Sequence, residues 1–420
     1  MQRRTTRIAA GIAAAASVLA LTACGSGFSG SGSSSSSGSA GGLTSSKSAL
    51  TVLIGSSGDA ETAAVKSAVA DWSKSSGTAA TVQAASNLPQ QLSQGFAAKK
   101  PADVFYLGSD TFASYAKQGD LLAYGDMLKN KSDYYPSLVT NFTYQGRFTC
   151  APKDFSTLQL EINTDMWKAA GLTDSDVPTT WDQLATVAKK LTKGKVAGLV
   201  TSNEYQRLGA FMVQAGGNLT NDQNTKATVD SAANVKALTY VQDGLKSGWW
   251  KFTKDVGAGW GGEAFGKQEA AMTIEGNWIA GAMTVDYPKV HYKVVPLPAG
   301  PAGKGTLQFT NCWGIAADSK NQAGALKLVE QLTTAKHQLA FAKAFGVMPS
   351  IQSAASDWKA AFPQLAPFLD AASSAKGVPT SVGSADVVTD LNSKLAALKT
   401  VDIKSLLATE QKNLSAVVTG

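Results

Sequence analysis

The chain has 420 residues, 44% of them apolar, and a formal charge of +7. Three of those positive charges are Arg3, Arg4 and Arg7, and the remaining lysines are scattered in short pairs such as Lys99-Lys100 and Lys189-Lys190; without a basic cluster interleaved with aromatics, a nucleic-acid footprint is excluded. Only two histidines and three cysteines are present, none at zinc-site spacing, and no acidic loop matches a calcium hand, so no metal or other cofactor is expected.

The three arginines precede an apolar run of 14 residues, 8–21. At 1.5 Å per residue it is shorter than the roughly 20 residues that cross a bilayer, and its basic head and small-residue end form an export-signal pattern. Leu21-Thr22-Ala23-Cys24 resembles the lipobox of bacterial lipoproteins, which implies that residues 1–24 are a lipoprotein signal peptide and that Cys24 carries the lipid, palmitate included. Residues 25–47 are rich in glycine and serine, as in Gly30-Ser31-Gly32-Ser33-Ser34. They read as a flexible tether with a root-mean-square reach of roughly 25–30 Å.

About 373 residues follow the tether, too many for one typical core and enough for two domains. Residues 50–55 form a β-branched strand, and either Ala64, Ala68 and Trp72 or Val65, Val69 and Trp72 are spaced to face a sheet from the helix after it. A strand at 81–84, a helix over 88–98 with Pro89 in its first turn, a strand at 102–107 and a helix that begins near Thr111 and ends before Gly119 continue the alternation, which implies a mostly parallel α/β sheet. Leu158-Gln159-Leu160-Glu161-Ile162 alternates like a strand, and Asp165 to Ala170 makes a short helix. Thr180 and Gln183 read as a capping box for the helix carrying Leu184, Val187, Ala188 and Leu191. Strands follow at 196–200, 270–274, 291–296 and 307–317, with helices bearing Val235, Leu238, Val241 and Leu245, and then residues 323–332. After Pro349 the pattern is wholly helical, with Val387, Leu391 and Leu395 on one face.

In an oxidising compartment Cys150 and Cys312 are either a disulfide or two separately buried thiols. From about Ser48 to Leu407 the segments resemble the family 1 extracellular solute-binding proteins, the maltose-binding-protein-like sugar receptors of bacterial ABC importers. The resemblance rests first on Leu160-Glu161-Ile162-Asn163-Thr164-Asp165-Met166-Trp167, followed by Pro178-Thr179-Thr180-Trp181. It continues with Phe265-Gly266-Lys267-Gln268, Gly276-Asn277-Trp278, Pro296-Leu297-Pro298, Trp313-Gly314-Ile315 and Gly346-Val347-Met348-Pro349. It implies a two-lobed, type II periplasmic-binding-protein-like fold whose ligand cleft lies between lobes joined by three crossings, near 151–156, 307–311 and 347–350. Lobe one would comprise 48–153 with 311–346, and lobe two 154–310 with 347–420. Both cysteines then fall beside crossings on the lobe-one side, which favours their pairing. The implied protein is a monomer, lipid-anchored to the outer face of the cytoplasmic membrane, that hands a mono- or oligosaccharide to ABC permease subunits. Its alanine and glycine content fits a Gram-positive actinobacterium.

A sugar needs aromatic faces for its C–H surfaces and directional polar groups for its hydroxyls. Trp260, Trp278 and Trp313 are the stacking candidates, while Trp72 and Trp181 read as structural and at most one of Trp249 and Trp250 faces the cleft. Ligands of open α/β sheets bind beyond the carboxyl ends of strands, which selects Ser56, Ser57 and Asp59, then Ser109 and Asp110. Lobe two and the crossings contribute Asp154, Asn203, Glu204, Tyr205, Glu275, Asn277 and Asn311. Asp59 and Asp110 serve equally well as helix caps. Arg207 is the arginine placed nearest the cleft. Three rivals follow: a receptor for a peptide, polyamine or ferric complex, a secreted glycoside hydrolase using Asp154 and Glu275 as its carboxylate pair, and a purely adhesive or structural lipoprotein.

Overall fold

Two parallel three-stranded units are joined by two long antiparallel strands into one sheet. In this computed structural model, which describes residues 42–418, β1 (Leu50–Ile54) pairs in parallel with β2 (Ala80–Ala84) and β3 (Val104–Gly108). A small hairpin, β4 (Thr143–Tyr144) with β5 (Arg147–Phe148), precedes β6 (Ala151–Asn163), whose 13 residues are all buried. Next come β7 (Leu199–Thr201), β8 (Trp250–Phe252), β9 (Met272–Gly276), β10 (Tyr292–Val295), β11 (Thr306–Ile315) and β12 (Ala375–Lys376). The strand order is β2-β1-β3-β11-β6-β9-β7-β8, with β10 on β6 and β12 on β11.

The expected signal peptide, Cys24 and most of the tether lie outside the described residues. The chain is already tied down at Thr44, whose backbone N–H donates to Gln322 Oε1 (3.0 Å) and whose hydroxyl donates to the Ser319 carbonyl (2.8 Å). The folded part therefore starts a few residues before the expected boundary at 48. Among the described residues no helix is long and apolar enough to cross a membrane.

Both strand units are covered by helices whose apolar stripes were legible. The Asp59–Ser76 helix buries Val65, Ala68, Val69 and Trp72, spaced three and four apart so that they fall on one face. It stops at Gly77, whose φ of 69° is a left-handed conformation that closes the last turn without a Cβ penalty. The Trp181–Leu191 helix starts at Thr180, whose hydroxyl accepts the Gln183 N–H. Gln183 reaches back one residue further than a capping box requires, accepting from Thr179 N at 2.7 Å. The alternation in 158–162 has buried polar members as well: Gln159 and Glu161 are covered by the opposite face, with Gln159 accepting the Leu297 N–H and donating to the Pro367 carbonyl.

One core gathers β1 and β3 with Trp72, Phe112, Trp313, Leu328 and Leu332. A second gathers Leu158, Leu160 and Ile162 of β6 with Leu184, Phe211, Leu238, Ile274, Leu391 and Leu407. Three crossings connect them. The Phe155 region of β6 pairs on one side with Thr310 of β11 and on the other bridges Met348, and Phe155 and Met348 share a third apolar cluster with Phe265, Trp358 and Phe368. Ile351 and Ala354 pack in the first core, a return to lobe one after residue 347 that the expected boundaries do not include. The final helices, Ser384–Leu395 and Ile403–Val417, belong to the second core. The C-terminal stretch is not wholly helical, because β12 adds a short parallel edge to β11.

Cys150 and Cys312 form a disulfide with Cα atoms 5.7 Å apart, in the first core beside two of the crossings. Closing a loop across a separation of 162 residues restricts the unfolded chain. Replacing both cysteines by alanine is expected to lower the unfolding free energy by about 2–5 kcal/mol, read from urea unfolding followed by circular dichroism. An unchanged midpoint would rule this out.

Candidate functional site

Between Asp154 and Pro152 strand β6 carries one residue more than β11. Asn311 lies opposite Asp154 and Cys312 opposite Pro152, leaving Lys153 inserted. Successive strand side chains point to opposite faces, and a bulge breaks that alternation. Here both Lys153 and Asp154 open into one cleft of about 510 Å³ between the lobes. Lobe one contributes Ser57, Glu61, Ser109 and Asp110. The crossings contribute Phe155, Ser156, Phe309, Asn311 and Phe345, and lobe two contributes Gln206, Asn277 and Trp278. A smaller hollow of about 230 Å³, beside Asn141 and the loop around Asn221, is lined by no aromatic side chain, so the larger cleft is the candidate site.

The polar floor of the cleft is a charge cluster. Lys153 donates to the Asp154 carboxylate, lies 3.5 Å from Glu61 Oε1 and stands 4.3 Å from the Tyr106 ring centroid. Glu61 accepts from the Ser57 N–H and hydroxyl, each at 2.7 Å, and from the Tyr106 hydroxyl at 3.0 Å. Burial pushes the Glu61 carboxyl up, but the Lys153 ammonium and these hydrogen bonds outweigh it and hold the group below the ordinary carboxylate range. For Asp154 burial wins over Lys153, and its carboxyl is pushed up. Glu61, Asp110 and Asp154 face a single ammonium, so the cleft disfavours anions.

Above the floor, Asn277 ties lobe two to the third crossing through a 2.5 Å hydrogen bond from Nδ2 to the Gly346 carbonyl. Its Oδ1 is buried without a hydrogen-bond partner. Asp110 accepts only from its neighbour Thr111 N, at 2.9 Å. The cleft is thus rich in acceptors and suits a ligand that offers hydrogen-bond donors.

Six of the twelve residues expected to bind ligand line this cleft: Ser57, Asp110, Asp154, Asn277, Trp278 and Asn311. The other six lie elsewhere. Asp59 is exposed in the first turn of its helix, outside the cleft. Asn203 donates to the Asn392 carbonyl at 3.2 Å, tying its loop to the Ser384–Leu395 helix. Tyr205 starts a helix, is fully buried in the second core and donates from its hydroxyl to Asn218 Oδ1 at 2.6 Å. Trp260 is half-buried, crossing Gly262 and packing on the third apolar cluster. Trp313 is buried in the first core, its ring 4.8 Å from that of Tyr106. Trp249 and Trp250 are both buried as well.

Glu275 lies beneath the cleft, fully buried. Its carboxylate accepts from Arg207 at 2.7 Å and from the Trp278 indole N–H at 3.0 Å. Asp154 opens on the cleft and Glu275 does not, so the two do not flank a common space as a hydrolytic pair. Among the described residues no cluster of three or more His, Cys, Asp or Glu is placed to hold a metal. Sequence reasoning missed Glu61, Lys153 and Phe345. Glu61 lies two residues past Asp59, in the same first helical turn, and Phe345 is the last helical residue before Gly346.

Two α/β lobes on three crossings, with acceptors and an exposed indole collected between them, define the class of two-lobed solute receptors with a type II periplasmic-binding-protein fold. The chain belongs to the bacterial extracellular solute-binding proteins, whose family model matches residues 55–339. It is 25% identical over 291 residues to the diacetylchitobiose binding protein DasA of Streptomyces coelicolor, spanning 66% of this chain and 67% of that one. A probable ABC transporter-binding protein of Deinococcus radiodurans is 28% identical over 238 residues, or 49% of this chain and 52% of the relative. The chain thus spans about half to two thirds of the length of these curated relatives. The fold is similar to that of the cyclic alpha-maltosyl-1,6-maltose binding protein of Arthrobacter globiformis, with a TM-score of 0.78, 18% identity and coverage of 88% and 98%. It is equally similar to MalE of Xanthomonas citri, with a TM-score of 0.78, 20% identity and coverage of 88% and 97%.

One buried group in this region titrates far from its usual range. Glu161 accepts the Glu275 N–H at 3.0 Å and is fully buried. Burial first and the Glu275 charge second push its carboxyl well above the ordinary 4.5. The folded state thus keeps a proton that the unfolded chain releases, and stability from this group falls as pH rises from the unfolded value through the folded one. Glu161→Gln keeps the neutral form at every pH. As pH rises above the ordinary carboxylate range its urea midpoint is expected to fall less than that of the parent; parallel curves would contradict the assignment.

Proposed function

We propose that this protein captures a mono- or oligosaccharide outside the cytoplasmic membrane and delivers it to an ABC permease. The observation that carries the reading is Trp278: of the nine tryptophans it alone is in the open, 39% exposed, and it stands in an acceptor-rich cleft between two lobes. An indole packs against sugar C–H surfaces while Asp110, Asp154, Asn277 and Asn311 accept hydroxyl hydrogens. The relatives' names, for diacetylchitobiose and for cyclic alpha-maltosyl-1,6-maltose, support a carbohydrate. Lobe one is proposed to comprise the start of the folded part and the 311–346 segment, and lobe two residues 154–310 with most of the stretch after 347. Cys24 is proposed as the lipid anchor that keeps the receptor beside its permease, with the Gly/Ser tether setting its reach.

A thermal-shift screen tests the reading, because a ligand that binds only the folded state raises the apparent melting temperature. A mono- or oligosaccharide is expected to raise it, and a response confined to peptides or polyamines would replace the sugar reading. With the responding sugar, Trp278→Ala is expected to weaken binding about tenfold or more, a loss of about 1.4 kcal/mol, by calorimetry. Asp59→Ala, outside the cleft, is expected to stay within about twofold of the parent. Equal affinities for parent and Trp278→Ala would remove the indole from the site.

A further inference from the structure

The exposed indole in the cleft is held from behind by a buried ion pair. Trp278 Nε1 donates to Glu275 Oε2 at 3.0 Å, and Arg207 binds the same oxygen at 2.7 Å. The Arg207 guanidinium carbon also stands 5.3 Å from the Trp278 ring centroid, within cation–π range. One carboxylate oxygen therefore fixes both the edge of the indole and the cation over its ring. Gly276 makes room for this arrangement, since a Cβ built there would meet the ring at 2.2 Å. Phe309 of the second crossing meets the ring edge-on, with centroids 5.7 Å apart. Neither charge reaches freely into the cleft: the Glu275 side chain is 0% exposed and that of Arg207 12%.

We infer that Glu275 and Arg207 are positioning residues that set the orientation of Trp278 before any solute arrives. The inference rests on the proposed role of Trp278 as the solute-contacting aromatic surface. A tryptophan that is partly exposed and left free would populate several rotamers, and binding would have to restrict them. Here the indole N–H has a charged acceptor and the ring has a cation over it, so the restriction is made in the folded chain itself. A carboxylate suits this position because one oxygen accepts from both the indole N–H and the guanidinium, and charge-assisted hydrogen bonds are stronger than those to a neutral acceptor.

The test reads Trp278 in the unliganded protein. Its contribution to the emission and to acrylamide quenching is taken as the difference between each variant and the same variant carrying Trp278→Phe. In Glu275→Ala and Arg207→Met this contribution is expected to move to longer wavelength and to be quenched about twofold more strongly. Glu275→Gln, which keeps an acceptor for the indole but loses the charge that binds Arg207, is expected to fall between them and the parent. Because removing one partner leaves a buried charge unpaired, the double variant Glu275→Gln with Arg207→Met serves where a single variant does not fold. It is expected to show the same displaced signature. For a saccharide that the parent binds, affinity is expected to fall about fivefold or more in the same rank order. A Trp278 contribution unchanged in Glu275→Gln, Arg207→Met and the double variant would overturn the inference. A displaced signature in a protein whose parent binds no saccharide would leave the positioning role standing and remove the sugar reading instead.

Discussion

The pairing of β6 with β11 is the constraint on which the remaining structure depends. These two strands run from one core into the other, and each lobe's parallel unit is attached to one of them: β3 to β11 and β9 to β6. All 13 residues of β6 are buried, so its backbone groups must find partners within the sheet, and its side chains must be satisfied on both faces. The ionisable members of this strand each find a partner, although one atom, Glu161 Oε1, is left without one. Lys153 meets Asp154 and Glu61, and Glu161 meets the Glu275 N–H. The bulge at Lys153 is what lets a strand that crosses between lobes also furnish the floor of the cleft.

The organisation of the cleft follows from a division of labour between layers. Carboxylates on the floor are neutralised in part by Lys153, which keeps them fixed and leaves acceptors facing the solute. Behind Trp278 the second ion pair is sealed from water, where Coulombic attraction is less screened but desolvation costs more. Burial pushes the Glu275 carboxyl up as it does that of Glu161, and for Glu275 the Arg207 guanidinium and its hydrogen bonds work against that push. Partners, and not burial alone, separate Glu161 from Glu61, which is also buried and is held below the ordinary carboxylate range because an ammonium and three hydrogen bonds surround it.

Most of the fold was legible in the sequence because its helices have one apolar stripe and its strands end in glycine or polar turns. The Asp59–Ser76 stripe, the Thr180 cap and the order of strands are local signals, and local signals survive in the folded chain. The crossings and the block order were legible only through the resemblance to a family. The site was half legible. The strand-end rule found Ser57 and Asp110, and the expected crossings and second lobe supplied Asp154, Asn277 and Asn311, but they also supplied Tyr205, whose apolar ring fills the second core, and Asn203, which ties down a helix. Glu275 has the right composition and the wrong side of the strand. At 0% exposure it faces inward, and one position of strand register decides that outcome. Lys153 could not be found from pattern at all, since its direction depends on a bulge that only the pairing with β11 defines.

The disulfide has a topological consequence for a protein whose family works outside the cell. Cys150 and Cys312 stand 162 positions apart and bracket the stretch of chain that runs out through β6, builds most of the second core and returns through β11. A protease that cuts once anywhere in that stretch leaves both fragments joined by the sulfur bridge. The same cut before Cys150 or after Cys312 separates them. Covalent integrity is therefore unevenly distributed along the chain, and the part that carries Trp278 and its supporting ion pair lies within the protected interval.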